Sequence, residues 1–161
     1  MLARPWIVAS LSAVLLGSVL SASAAETLFF EGDMVRGAGP AGATGATCVL
    51  ASQFKRREAV VWRIRVRDAS GANVDAGALA TLVVELPDGQ RFPARFGPHP
   101  RGQETDKFWS VSWTIPADYP TGSFAYKVVA TSKSGATQSW APFNVNLSQL
   151  TIIPGDVTFT K

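Results

Sequence analysis

Across residues 58–67 apolar and charged side chains alternate without a break: Val60, Trp62, Ile64 and Val66 on one parity, Arg63, Arg65 and Arg67 on the other. A two-residue period puts each set on its own face of an extended strand, whereas a helix would scatter both sets around its axis. The segment therefore reads as a half-buried strand with a cationic outer side. The same period recurs further along. Leu82, Val84 and Leu86 share one face of 79–86, and Trp109, Val111, Trp113 and Ile115 alternate with Ser110, Ser112 and Thr114. Phe124, Tyr126, Val128 and Ala130 then alternate with Ala125, Lys127, Val129 and Thr131. No stretch sustains a helical period.

Turn chemistry punctuates these runs. Asp68-Ala69-Ser70-Gly71, Pro87-Asp88-Gly89, 116–122 and Lys133-Ser134-Gly135 each reverse the chain, and the second joins 79–86 to 90–96 as a hairpin. A long polar loop spans 97–106, and a last strand pair is expected across 138–145 and 149–153, with Pro142 marking an edge or bulge. About seven strands with turns every 8–12 residues predict an all-β, antiparallel sandwich.

The first 24 residues differ in kind. Arg4 precedes a mostly apolar run over 6–20, and Ala22-Ser23-Ala24 has the small residues a signal peptidase requires, which predicts a leader cleaved before Ala25. No cysteine follows it for lipid attachment, and no arginine pair precedes the apolar run, so export of an unfolded chain is expected. The predicted location is periplasmic or secreted. Of 15 Lys and Arg in the chain, Arg4 lies in the leader; the remaining 14 nearly balance 12 acidic residues, so the pI of 9.4 reflects few charges rather than a cationic protein. That argues against a nucleic-acid partner. No second apolar run approaches the ~20 residues of a membrane span. The expected organisation is a leader over 1–24, an extended segment over 25–47, and a β-domain over 48–161. The segment holds a short strand over 26–31 and a Gly/Ala-rich linker over 37–47. The linker's three collagen-like triplets are too few for a triple helix.

Ile115-Pro116 through Tyr119-Pro120-Thr121-Gly122, followed by Phe124 to Ala130 and Lys133-Ser134-Gly135, resembles the corner and following strand of bacterial immunoglobulin-like or fibronectin-type-III-like domains. The resemblance covers 48–153. It implies an immunoglobulin-like β-sandwich, with Tyr119 or Tyr126 as a corner tyrosine whose hydroxyl caps a loop. It also implies adhesion, assembly or accessory binding more often than catalysis. The paired cysteines of antibody domains are absent, since Cys48 stands alone.

In an oxidising compartment Cys48 is a buried thiol, a metal ligand, or half of an intermolecular disulfide. Its parity with Leu50 and Phe54 on a strand favours burial. The soft ligands outside the leader are Cys48, His99 and Met34, a set suited to copper. Counting excludes a blue-copper centre, covalent haem and structural zinc. His99 lies between two prolines, a rigid posture for a ligand. As a general base it has Glu104 and Asp106 nearby to orient it, but no nucleophile elbow exists. Glu85, Glu104 and Asp106 show no paired-carboxylate signature. Asp68, Asn73 and Asp75 lack calcium-loop spacing and are turn residues. Asn146-Leu147-Ser148 matches a glycosylation sequon without further support, and Trp109 and Trp140 are core residues before they are sugar platforms.

The densest charge is Lys55, Arg56 and Arg57 together with Arg63, Arg65 and Arg67, a surface for an acidic partner protein or an envelope component. The leading expectation is an exported, non-enzymatic accessory domain that binds a partner through this face or through the loop around His99, without an obligatory cofactor. The alternatives are a periplasmic copper-binding accessory protein using His99 with Cys48 or Met34, and, more weakly, a hydrolase.

Overall fold

The alternating segments become strands whose lengths follow their patterns. The protein is described by a computed structural model at residues 27–38, 48–99, 106–145 and 147–155. The leader, most of the linker, residues 100–105 and Asn146 lie outside the described residues. The strands are β1 (Phe29–Arg36), β2 (Gln53–Lys55), β3 (Ala59–Arg67), β4 (Leu79–Glu85), β5 (Arg91–Pro93) and β6 (Arg95–Pro98), followed by β7 (Lys107–Thr114), β8 (Gly122–Phe124), β9 (Lys127–Ser132), β10 (Thr137–Trp140) and β11 (Leu150–Ile153). The fold is all-β, with no helix among the described residues. Two four-stranded antiparallel sheets have the orders β1-β3-β7-β6 and β10-β9-β4-β5. A small third sheet, β2-β11-β8, contains one parallel pair, β2 with β11.

The inward faces of the two larger sheets share one core. Val60, Trp62, Ile64 and Val66 of β3 and Trp109 of β7 meet Leu82 and Val84 of β4 and Val128 and Ala130 of β9. Trp62 is fully buried at its centre, stacked on Phe92 at 5.8 Å and Trp113 at 6.4 Å and met edge-on by Tyr126 at 6.0 Å. Trp109 satisfies its indole N–H on the carbonyl of Val74, 3.0 Å away. At the β4–β5 turn Gly89 sits at φ 87°, a conformation open to glycine at no steric cost.

Three elements depart from the sequence reading. The run 90–96 is not one strand: β5 pairs with β4, β6 pairs with β7, and the chain changes sheets at Ala94. Pro93 still pairs with Val83 and the Ala94 N–H donates to the carbonyl of Leu82 at 2.8 Å, so the bonding to β4 ends at Ala94 and the next residue, Arg95, pairs with β7. The run 124–130 likewise divides between β8 and β9, so more and shorter strands exist than the expected seven. Third, residues 29–36 form an eight-residue strand that pairs with β3 along its whole length, from Phe29 opposite Arg67 to Arg36 opposite Val60. The segment ahead of residue 48 thus supplies an edge strand of the first sheet.

Candidate functional site on the outer face of the first sheet

Strand parity sends Arg63, Arg65 and Arg67 outward from β3, and β1 brings acids to the same face: Asp33 stands opposite Arg63, and Glu31 opposite Arg65. Arg63 donates from Nε and Nη2 to the two carboxylate oxygens of Asp33, each at 2.7 Å. Arg65 donates to both oxygens of Asp106 at 2.6 Å, and Arg67 reaches Glu31 at 3.1 Å and the carbonyl of Gly71 at 3.0 Å. The Asp33 hydrogen bond, opposed by desolvation and aided by the Asp33, Cys48 and Asp106 charges, raises the Arg63 pKa above its ordinary value. The face is therefore an ion-paired ladder with matched charges. The acids that match it are visible in the sequence as Glu31 and Asp33 two residues apart, but only the register of β1 on β3 shows which arginines they meet.

Lys55, Arg56 and Arg57 do not join this ladder. They form the turn that precedes β3, at the end of the strand opposite Arg67, and Val61 lies on the outward parity between the two groups. Arg56 donates from Nε to the carbonyl of Tyr119 at 2.7 Å. Arg57, at φ 72°, donates its backbone N–H to Ile115 at 2.8 Å.

The same outer face carries a second feature. Phe108 has the outward parity of Ser110, because Trp109 between them points into the core, yet Phe108 is only 6 % exposed. The His99 ring lies against it with centroids 5.5 Å apart, and the Arg63 guanidinium lies 5.9 Å from its centre. A groove of about 360 Å³ opens beside this covered ring, lined by Glu31, Asp33, Arg63, Arg65 and Asp106. Nothing in the sequence singled out Phe108: an aromatic next to a core tryptophan carries no signal of its outward parity being covered.

His99 follows the last residue of β6, its N–H donating to the backbone carbonyl of Asp106 at 2.8 Å. The Asp106 carboxylate is engaged by Arg65, so it does not orient the His99 ring. Cys48 reaches the ring instead: its Sγ lies 3.6 Å from His99 Nε2, across 51 residues of sequence. Cys48 is exposed, contrary to the expectation of a buried thiol. The reason is local. Its φ of 62° is left-handed, so the two-residue parity that linked it to Leu50 and Phe54 does not run through it. Phe54 is fully buried, Leu50 is exposed, and Cys48 is fixed by its own N–H bond to Arg36 O at 2.8 Å. Met34 is not brought to the pair. It faces inward opposite Trp62 and is 5 % exposed in the core. Among the described residues no group of three or more His, Cys, Asp and Glu is arranged to hold a metal ion; the thiol and imidazole are a hydrogen-bonded pair.

A second concavity, about 530 Å³, lies between β1 and the segment after β10 and is bordered by exposed Leu50, Phe143 and Leu147, the last two 85 % and 84 % exposed. Trp140 lines it but stacks on Phe30 at 6.3 Å and against Tyr126 at 6.5 Å, a packing role. Among the described residues no helix is long and apolar enough to cross a membrane. Compared with known proteins, the chain matches no family model, no curated protein and no solved structure.

Proposed function

We propose that the protein is an exported accessory protein that holds a soft metal ion, copper(I), at Cys48 and His99 and catalyses no reaction. One observation carries this reading: the sole cysteine and the sole histidine, 51 residues apart in sequence, lie 3.6 Å apart on an exposed face. Thiolate and imidazole together select a soft or borderline ion, and two ligands fall short of the four that structural zinc takes. Copper(I) accepts low coordination numbers and fits what the chain has. The immunoglobulin-like type is supported by the strand orders: β1-β3-β7-β6 and β10-β9-β4-β5 correspond to the A-B-E-D and G-F-C-C′ orders of that fold. The expected leader over 1–24 supports placing that accessory role in the periplasm or outside the cell, next to another exported protein or an envelope component.

Copper(I) competition against a chromophoric chelator tests the site. The protein should retain one equivalent, and Cys48→Ser and His99→Ala should each weaken retention by about tenfold or more, since even loss of a residue behind a ligand costs 10–100-fold. Retention equal to wild type in both variants, with unchanged far-UV circular dichroism, would sink the reading.

A partner surface is the second reading, and the exposed Leu50, Phe143 and Leu147 along the apolar groove favour it. Cross-linking of the exported protein in its host, compared with a Phe143→Asp/Leu147→Asp variant, tests it. Loss of a cross-linked species is expected, and an unchanged pattern counts against this surface.

A further inference from the structure

The outer edge of β1 is paired along only part of its length. Its even-numbered residues turn their backbone groups away from β3. Arg36 bonds to Val49 and Cys48 at 2.9 and 2.8 Å, and Met34 accepts from the Ala51 N–H at 3.0 Å. At the other end the Gln138 side chain accepts from the Leu28 N–H at 2.8 Å. Between these two points the N–H and C=O groups of Phe30 and Gly32 have no partner among the described residues. Gly32 is exposed and lines the groove of about 530 Å³, whose far wall runs from Trp140 to Phe143 and includes Leu147. A strand laid in line with 49–51 runs through that groove alongside Phe30 and Gly32. From 29 to 34 β1 carries neither Lys nor Pro, the residues that commonly guard an edge against pairing.

The surroundings of the groove set the chemistry of such a strand. The large apolar side chains that are exposed among the described residues are Phe29, Val49, Leu50, Phe143, Val145 and Leu147. All six lie on β1, on the segment paired with its outer edge, or on the segment after β10. Residues 37–54 and 134–155, which contain both rims, hold no Asp, Glu, Lys or Arg. Side chains that enter the groove are therefore apolar, and a strand sends every second one toward it. Charge rules out β1 of a second copy. A two-fold axis at Glu31 or Gly32 sets Glu31 and Asp33 of the two copies face to face, and one at Phe30 needs the Leu28 N–H that Gln138 already holds.

We infer that the groove takes an extended strand of another exported protein, with large apolar residues at alternate positions, which continues the first sheet at Phe30 and Gly32. This rests on the partner-surface reading above and is independent of copper. Main-chain bonds to the open edge hold the strand, and the apolar rim selects its side chains.

Amide hydrogen exchange on the full exported chain, stripped with a chelator, tests this with a short capped peptide alternating valine and threonine as the probe. The Phe30 and Gly32 amides should exchange freely in the peptide-free monomer. They should slow by about a hundredfold at a peptide concentration of about 100 Kd. The same peptide N-methylated along its edge-facing amides should not protect them. Leu50→Asp/Phe143→Asp should weaken binding about tenfold or more, with an unchanged far-UV circular dichroism spectrum because both side chains are exposed. Equal protection by the N-methylated peptide, or protection by neither, would overturn the inference. So would protection before any peptide is added: in a dimer a second copy occupies the edge, and in a monomer residues 156–161 of the chain itself do. Each of these results leaves the partner surface standing, because cross-linking of the Phe143→Asp/Leu147→Asp variant decides that reading separately.

Discussion

Tyr119 illustrates how one hydroxyl couples a corner to a hairpin. Its OH donates to Asp88 Oδ2 at 2.6 Å, so the loop before β8 is tied to the β4–β5 turn through a side chain 31 residues upstream, not to the backbone of its own corner as the resemblance implied. Burial first, and then the Asp88 bond and charge, raise the Tyr119 pKa above its ordinary value. Burial pushes Asp88 upward, but its bonds from Tyr119 and Gln90 outweigh that and lower it overall. A lowered carboxylate contributes stability above its unfolded pKa and loses it as pH falls through the folded value. A raised phenol contributes stability below its unfolded pKa and loses it as pH rises through the folded one. Tyr119→Phe should therefore cost about 1 kcal/mol at pH 7, a modest figure because Asp88 is exposed. Urea unfolding should show the difference shrinking as pH is lowered toward about 2, below the usual carboxylate range; a constant difference would mean that Asp88 is not the partner that matters. At this scale the sequence was legible where strand parity ran unbroken and misleading where it did not. Trp62 was placed inward by its neighbours. Cys48 was misplaced because one left-handed residue resets the parity, and a single sequence carries no mark of φ.

Among the elements, the pairing of β1 with β3 changes the meaning of the arginine face. Read from β3 alone, Arg63, Arg65 and Arg67 are a cationic stripe, and reversing them should leave stability untouched. With Asp33 directly opposite Arg63, reversal places like charges across the ladder. Arg63→Glu should thus destabilise the fold by about 1 kcal/mol, the pair being partly exposed. The exchange Asp33→Arg/Arg63→Asp should recover part of the loss, and a double-mutant cycle in chemical denaturation measures the coupling. Additive costs would show that the two side chains act independently. The broken strands follow a different logic. The run 90–96 carries one apolar pattern, yet it serves two sheets: the last bond to β4 comes from the Ala94 N–H, and pairing with β7 begins at Arg95.

At the scale of the molecule one core joins the two larger sheets, and Trp62 touches aromatic side chains from both of them. Trp62→Ala removes the largest fully buried side chain and should cost about 3–5 kcal/mol, a large share of a typical domain's stability. Because the core is shared, the variant should still unfold in one transition, with far-UV and near-UV circular dichroism coinciding at a lower midpoint. Two separated transitions would mean that the sheets fold independently.

By itself the sequence determined that this chain is all-β, where it turns, and which face of β3, β4, β7 and β9 is apolar. A two-residue period and a turn residue act within a few positions, so they can be read locally. Tertiary structure alone decided that β1 and Asp106 together neutralise the arginines, that Phe108 is covered from outside, and that Cys48 stands beside His99. Each of these depends on register and approach between segments tens of residues apart, set by packing of the whole core, and no local pattern encodes it.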